Sequence, residues 1–243
     1  HNNEGNTPPN LNAIEREYLG ISSPVVITED GGYSLDPIHK NGKYYRIDTD
    51  VENEYYLLEY RAEEGWDKYI GGKGMLVYHI DRSDRLSGES EYLEREITAW
   101  QRWEHTNEVN CRPDHQCADL IEADMRNDIF EGFYDEAYAA ALRNISGIFF
   151  PSGKVNSLKA DEKPGITFWS GEPAKPSITN IRENSTGVSF NVIGYSDIEL
   201  PPMVTEVKTE AFMDAAIIRF ESDRPFEGEA VVAWGLEGKD KDT

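Results

Sequence analysis

The chain has 243 residues, enough for one large or two modest domains. Its 46 acidic residues outnumber 24 Lys and Arg, and the resulting formal charge of −22 repels phosphate backbones and argues against nucleic-acid binding. No apolar run approaches the about 20 residues that span a bilayer.

Hydrophobic residues make up 38% of the chain, with 13 Tyr and 5 Trp, which favours sheet over helical bundle. The surplus carboxylates read either as a solvated surface or as oxygen ligands for calcium. A chain that opens His1-Asn2-Asn3 has no initiator Met and reads as a processed or trimmed piece, so the lack of a leader says nothing of its destination.

Pro8-Pro9 is an extended lead-in, and Asn10 is the expected N-cap of a short helix carrying Ala13, Ile14, Tyr18 and Leu19, stopped at Gly20. After Pro24 a meander of short strands is expected. Val25 to Thr28 is followed by the tight-turn signal Asp30-Gly31-Gly32 and by Tyr33 to Leu35, then Asn41-Gly42 and Tyr44 to Asp48. Tyr55 to Tyr60 and Met75 to Ile80 are apolar at nearly every position. Strands of that kind are covered on both faces, which predicts adjacent central positions in a sheet.

Residues 82 to 117 are polar and without clear periodicity, with Trp100 and Trp103 embedded. Leu120-Ile121 reads as a short strand ending at Asp124, and Tyr134 to Arg143 as the clearest helix. Residues 144 to 176 read as loop, and Ser177 to Arg182 with Val188 to Ile193 as a hairpin. Leu200-Pro201-Pro202 looks like a linker before three strand candidates, Val204 to Thr209, Ala215 to Glu221 and Ala230 to Trp234. An immunoglobulin sandwich needs about seven. The predicted class is α+β, mainly antiparallel β with few short helices, over 1–198. Part of an immunoglobulin or fibronectin III-like sandwich is expected over 199–243.

Three groups of residues could carry chemistry. His79 and Asp81 lie two apart at a strand end and share a face. Either they line a cleft with Asp81 orienting the imidazole, or the histidine is satisfied by a neighbouring carboxylate while Asp81 opens the turn. Cys111, His115 and Cys117 form C-x3-H-x-C, open to a disulfide, free thiols or a metal, though three ligands in one tight loop are unlike the paired zinc motifs. Asp119, Glu122 and Asp124 are the calcium candidates, although as a straight strand Asp119 and Glu122 would face opposite ways.

Glu54 to Asp81, EYYLLEYRAEEGWDKYIGGKGMLVYHID, resembles a stretch of the immune inhibitor A-type metalloproteases. So do Gly5-Asn6-Thr7-Pro8-Pro9 with Ala13-Ile14-Glu15-Arg16 and Leu19-Gly20 upstream. Trp103, Asn107, Val109-Asn110, His115 and Asp119-Leu120-Ile121-Glu122-Ala123-Asp124 do so downstream. These motifs fall in the same order over about residues 3 to 195.

The resemblance implies a secreted bacterial enzyme that cleaves protein or peptide substrates with zinc on an H-E-x-x-H helix. The five histidines here, at 1, 39, 79, 105 and 115, include no pair four apart, so no zinc ligand or catalytic residue is carried over. Export through an oxidising compartment implies a Cys111–Cys117 bond, with Pro113 turning the chain and the loop positioning His115. The alternative is a stand-alone extracellular sandwich module whose Trp100, Trp103 and Trp169 contact protein or carbohydrate.

Overall fold

Twelve strands and three short helices make up a computed structural model that describes residues 5–125, 145–196, 204–212 and 216–222. The chain packs as two units, His1–Asp197 and Ile198–Thr243. The fold is mostly β, largely antiparallel, with few short helices. Among the described residues no helix is long and apolar enough to cross a membrane.

Asn12, not Asn10, caps α1 (Ala13–Tyr18). Its side chain accepts from Glu15 N while Glu15 reaches back to Asn12 N, a reciprocal capping box. The expected meander is not formed. Strand β1 (Val25–Ile27) runs parallel to β3 (Tyr45–Asp48), whereas β2 (Gly31–Leu35) leaves for a different sheet. Asp30-Gly31-Gly32 therefore leads into β2 of the second sheet, with both glycines paired to β10, instead of closing a hairpin with β1. Asn41-Gly42 ends an unforeseen helical turn, α2 (Ile38–Asn41), with Gly42 left-handed at its C-cap.

Strands β4 (Glu54–Arg61) and β5 (Gly74–Asp81) are antiparallel neighbours, and all sixteen of their residues are buried. They occupy the middle of the sheet β1-β3-β4-β5-β8, where β8 is Ala118–Ile121. One face, with Tyr56, Leu58, Tyr60, Met75 and Val77, shares a core with the second sheet. That sheet, β2-β10-β9, is built on the predicted hairpin, seen as β9 (Ser177–Glu183) and β10 (Val188–Ile193). The other face, with Tyr55, Leu57, Leu76, Tyr78 and Ile80, packs with Ala13 of α1 and Ile38 of α2. Cover on both faces is why these strands carry no polar alternation.

The stretch 145–176, expected as loop, forms isolated bridges and contributes Phe149, Phe150, Leu158, Ile166 and Ala174 to the buried interior. Two glycines make close approaches possible. A Cβ on Gly187 would sit 2.0 Å from Leu35 O, and one on left-handed Gly74 2.7 Å from Phe150 O.

Residues 82 to 117 hold more order than their polarity suggests. The hairpin β6 (Leu86–Ser90)–β7 (Arg95–Thr98) leads into α3 (Ala99–Gln101) and a π-helical turn, Arg102–Thr106. Arg102 is fully buried and acts as the hub. It donates to Ser87 Oγ at 2.7 Å, to the carbonyls of Ser87, Gly88 and Glu89 at 3.0–3.1 Å, and to Cys111 Sγ at 3.1 Å.

In the second unit, β11 (Val204–Ala211) and β12 (Ala216–Ser222) form an antiparallel pair. The predicted helix Tyr134–Arg143, the linker Leu200-Pro201-Pro202 and the strand Ala230–Trp234 lie outside the described residues.

On the helix-covered face, Arg61 donates to Asp67 Oδ1 at 2.8 Å and to Asn10 O at 2.9 Å, and lies 3.5 Å from Glu59 Oε1. Glu59 in turn accepts from Ala13 N at 2.6 Å and Tyr78 Oη at 3.0 Å, so the network ties α1 to the sheet. Asp67→Asn strips the charge that Arg61 faces, and a loss of roughly 3 kcal/mol is expected in urea unfolding. A stability equal to wild type would show that Glu59 alone balances Arg61.

Candidate functional site

Opposite residues on paired strands project to the same face. Glu54 lies opposite Asp81 and Tyr56 opposite His79, while β8 sets Asp119 opposite His79 on the other side. These five side chains therefore gather at one end of the face shared with the second sheet, next to the apolar core rather than in water.

Each histidine takes its own carboxylate. His79, 4% exposed, places Nε2 2.9 Å from Glu54 Oε1, which also accepts from Trp169 N at 2.8 Å. His115 places Nε2 2.7 Å from Asp81 Oδ2, while Asp81 Oδ1 accepts from Ser83 N at 2.9 Å. Asp81 does not orient His79, as one reading of their spacing had it. The alternative reading holds, with the carboxylate being Glu54.

The rings complete the assembly. Tyr56, His79, Trp169 and His115 stack in a column with successive centroids at 4.5, 4.7 and 4.7 Å and interplanar angles of 9°, 7° and 25°. Tyr56 Oη closes on Thr167, donating to its carbonyl and accepting from its N–H, so the loop carrying Trp169 is pinned at the first ring. Burial pushes the Tyr56 phenol well above its ordinary value. Two atoms in this region are buried without a hydrogen-bond partner among the described residues, Glu54 Oε2 and Trp169 Nε1. The Arg85 guanidinium lies 4.0 Å from Glu54 Oε2.

Glu54, Tyr56 and Trp169 were not singled out from the sequence as part of this cluster. The available signal was parity, since Glu54 and Tyr56 occupy alternate positions of β4 and His79 and Asp81 alternate positions of β5. Trp169, a protein or carbohydrate contact in the alternative module reading, is half-buried between two imidazoles.

Asp119, Glu122 and Asp124 are all partly buried, and among the described residues no three His, Cys, Asp or Glu side chains converge as a metal site. The Nε2 of His79 and the Nε2 of His115 are each engaged by a carboxylate. The arrangement can orient two imidazoles and hold their protons against carboxylates.

The expected disulfide is not made, and both Cys111 and Cys117 are free thiols. Cys111 Sγ is turned to the Arg102 guanidinium. Cys117 is buried, with its carbonyl accepting from Asp81 N, and burial followed by the nearby Asp81 charge raises its thiol to about 12. Compared with protein-family models, curated proteins and solved structures, the chain finds no match.

Burial pushes the Asp81 carboxyl up, but hydrogen bonds from His115 and Ser83 outweigh it and leave it below its ordinary value. With the folded value below the unfolded one, the carboxylate stabilises the fold above about pH 4 and that contribution fades as pH falls through the folded value. Asp81→Asn is expected to be less stable at neutral pH, with the gap to wild type narrowing below about pH 4 in urea unfolding. A gap unchanged into acid would show that charge is not what Asp81 contributes. For the thiols, brief alkylation of native protein is expected to label Cys111 but not Cys117, read by peptide mass. Equal labelling of both would contradict the burial of Cys117.

Proposed function

We propose that this chain is the non-catalytic C-terminal portion of a secreted bacterial zinc metallopeptidase of the immune inhibitor A type. In this reading hydrolysis of protein or peptide substrates belongs to an H-E-x-x-H helix of the parent that these 243 residues do not contain. One observation carries the reading. Two stretches that resemble the family, Glu54 to Asp81 and Trp103 to Asp124, are distant in sequence yet meet at one end of the central sheet. There they jointly build the histidine–carboxylate cluster. Segments that supply the two halves of one buried network are expected to travel together. The upstream stretch is tied to the same strands, since Ala13 N donates to Glu59.

In the same reading the β11–β12 pair opens an immunoglobulin-like accessory sandwich. The function of the described part is to complete and stiffen the peptidase fold, with the ring column locking the loop at Trp169 onto the sheet.

The purified 243-residue chain is expected to leave casein intact with zinc added. The parent polypeptide is expected to cleave it and to stop on adding chelator. Chelator-sensitive cleavage by the chain alone overturns the proposal, as does a parent reading frame without H-E-x-x-H.

A further inference from the structure

On the opposite face of the sheet from the ring column, a pocket of about 270 Å³ is lined by Glu17, Arg46, Asn53, Tyr55, Arg82 and Trp100. It is smaller than the ~300–1,000 Å³ of pockets that enclose drug-sized ligands. It holds a single ring or side chain, not an oligomer.

The walls are preorganised. Arg46 lies over the Tyr55 ring at 3.7 Å and Tyr55 donates to Glu17 Oε2 at 2.6 Å. Asn53, left-handed at φ 63°, is fixed by Arg82 N donating to its carbonyl at 2.9 Å. Trp100 is 40% exposed yet held from two sides. Its backbone N–H donates to Ser83 O at 2.9 Å, and its indole lies 4.7 Å from the His105 ring in a T-shaped contact. An exposed indole ordered in this way is a plate waiting for a flat apolar surface.

The charges decide what kind of molecule fits. Arg46 is balanced by Asp48 at 2.5 Å and Glu17 at 3.7 Å, and Arg82 by Glu104 at 2.5 Å. No net positive charge is left to recruit an anion in a chain of −22. What remains is a ring of fixed donors, the guanidiniums and the Asn53 amide, interleaved with acceptors, the Glu17 carboxylate and the Asn53 amide oxygen. A ligand that matches must offer hydroxyls able to donate and accept around its rim, with an apolar C–H face for the indole.

We propose that this pocket binds a neutral pyranose unit, the terminal sugar of a glycan. The ring stacks on Trp100, its hydroxyls meet Glu17, Asn53 and the two arginines, and the rest of the glycan lies in solvent. The site uses none of the ring-column residues, so it stands or falls independently of the peptidase reading.

The test is titration of the 243-residue chain with methyl glucoside, methyl galactoside, methyl mannoside and N-acetylglucosamine. Glucuronate, inorganic phosphate and a Glu-rich peptide serve as comparators, and the readout is the Trp100 indole N–H resonance. Saturable movement of that resonance by at least one neutral sugar at millimolar concentration is expected. Trp100→Ala is expected to weaken binding roughly tenfold or more. Trp100→Phe, which keeps an aromatic plate, is expected to lose less, and Trp66→Phe, remote and exposed, to lose nothing. The proposal is overturned if no neutral sugar moves the resonance, if only glucuronate, phosphate or the peptide does, or if Trp100→Ala binds as wild type does.

Discussion

Two neighbouring strands with every residue buried impose the constraint on which the rest of this structure depends. β4 and β5 carry Glu54, Glu59, Arg61, His79 and Asp81 into surroundings that exclude water. A buried ionisable group without a partner costs several kcal/mol, so each must find one within the protein. Strand parity sorts them. Glu59 and Arg61 fall on the helix-covered face, while Glu54, His79 and Asp81 fall on the face shared with the second sheet.

The two faces solve the problem with different chemistry. On the helix side, guanidinium and carboxylates are closed by backbone groups of Asn10 and Ala13, so satisfying the charges also docks the N-terminal segment. On the other side the partners are imidazoles and an indole, brought by loops distant in sequence, and the rings stack as well as bond. Apolar substitution throughout would satisfy the sheet as well, but would remove the bonds by which Asp81 holds His115 and Glu54 holds Trp169. The polar groups thus specify which loops close over the end of the sheet.

A similar logic orders the polar stretch between β5 and β8. It has few apolar residues to bury, and a single buried guanidinium replaces a core by spending its donors on the hairpin carbonyls, Ser87 and Cys111. That hub fixes the Arg102 turn, and the capping box at Thr98 fixes α3, which presents Trp100 at the surface. The exposed indole therefore stands on a backbone fixed by residues that look, in sequence, like an unstructured loop.

What the sequence determined by itself is what depends on near neighbours or on an unbroken pattern. The apolar runs at Tyr55 to Tyr60 and Met75 to Ile80 could be buried only on both faces, and they are. The hairpin of β9 and β10 was legible because its strands flank a short turn, and Leu120-Ile121 because of its composition. The helix at Ala13 was legible too, although its cap was misplaced by two residues, since Asn10 and Asn12 are equally able acceptors and only Asn12 stands three residues before Glu15. Tertiary structure decided the partners. Periodicity reports which face a residue turns inward but not what waits there, so the parallel pairing of β1 with β3 and the departure of β2 to another sheet were invisible. The same reason gave Asp81 to His115 across 34 residues and Glu54 to Trp169 across 115. It also left both cysteines as thiols, because Arg102 turns one sulfur aside and burial encloses the other.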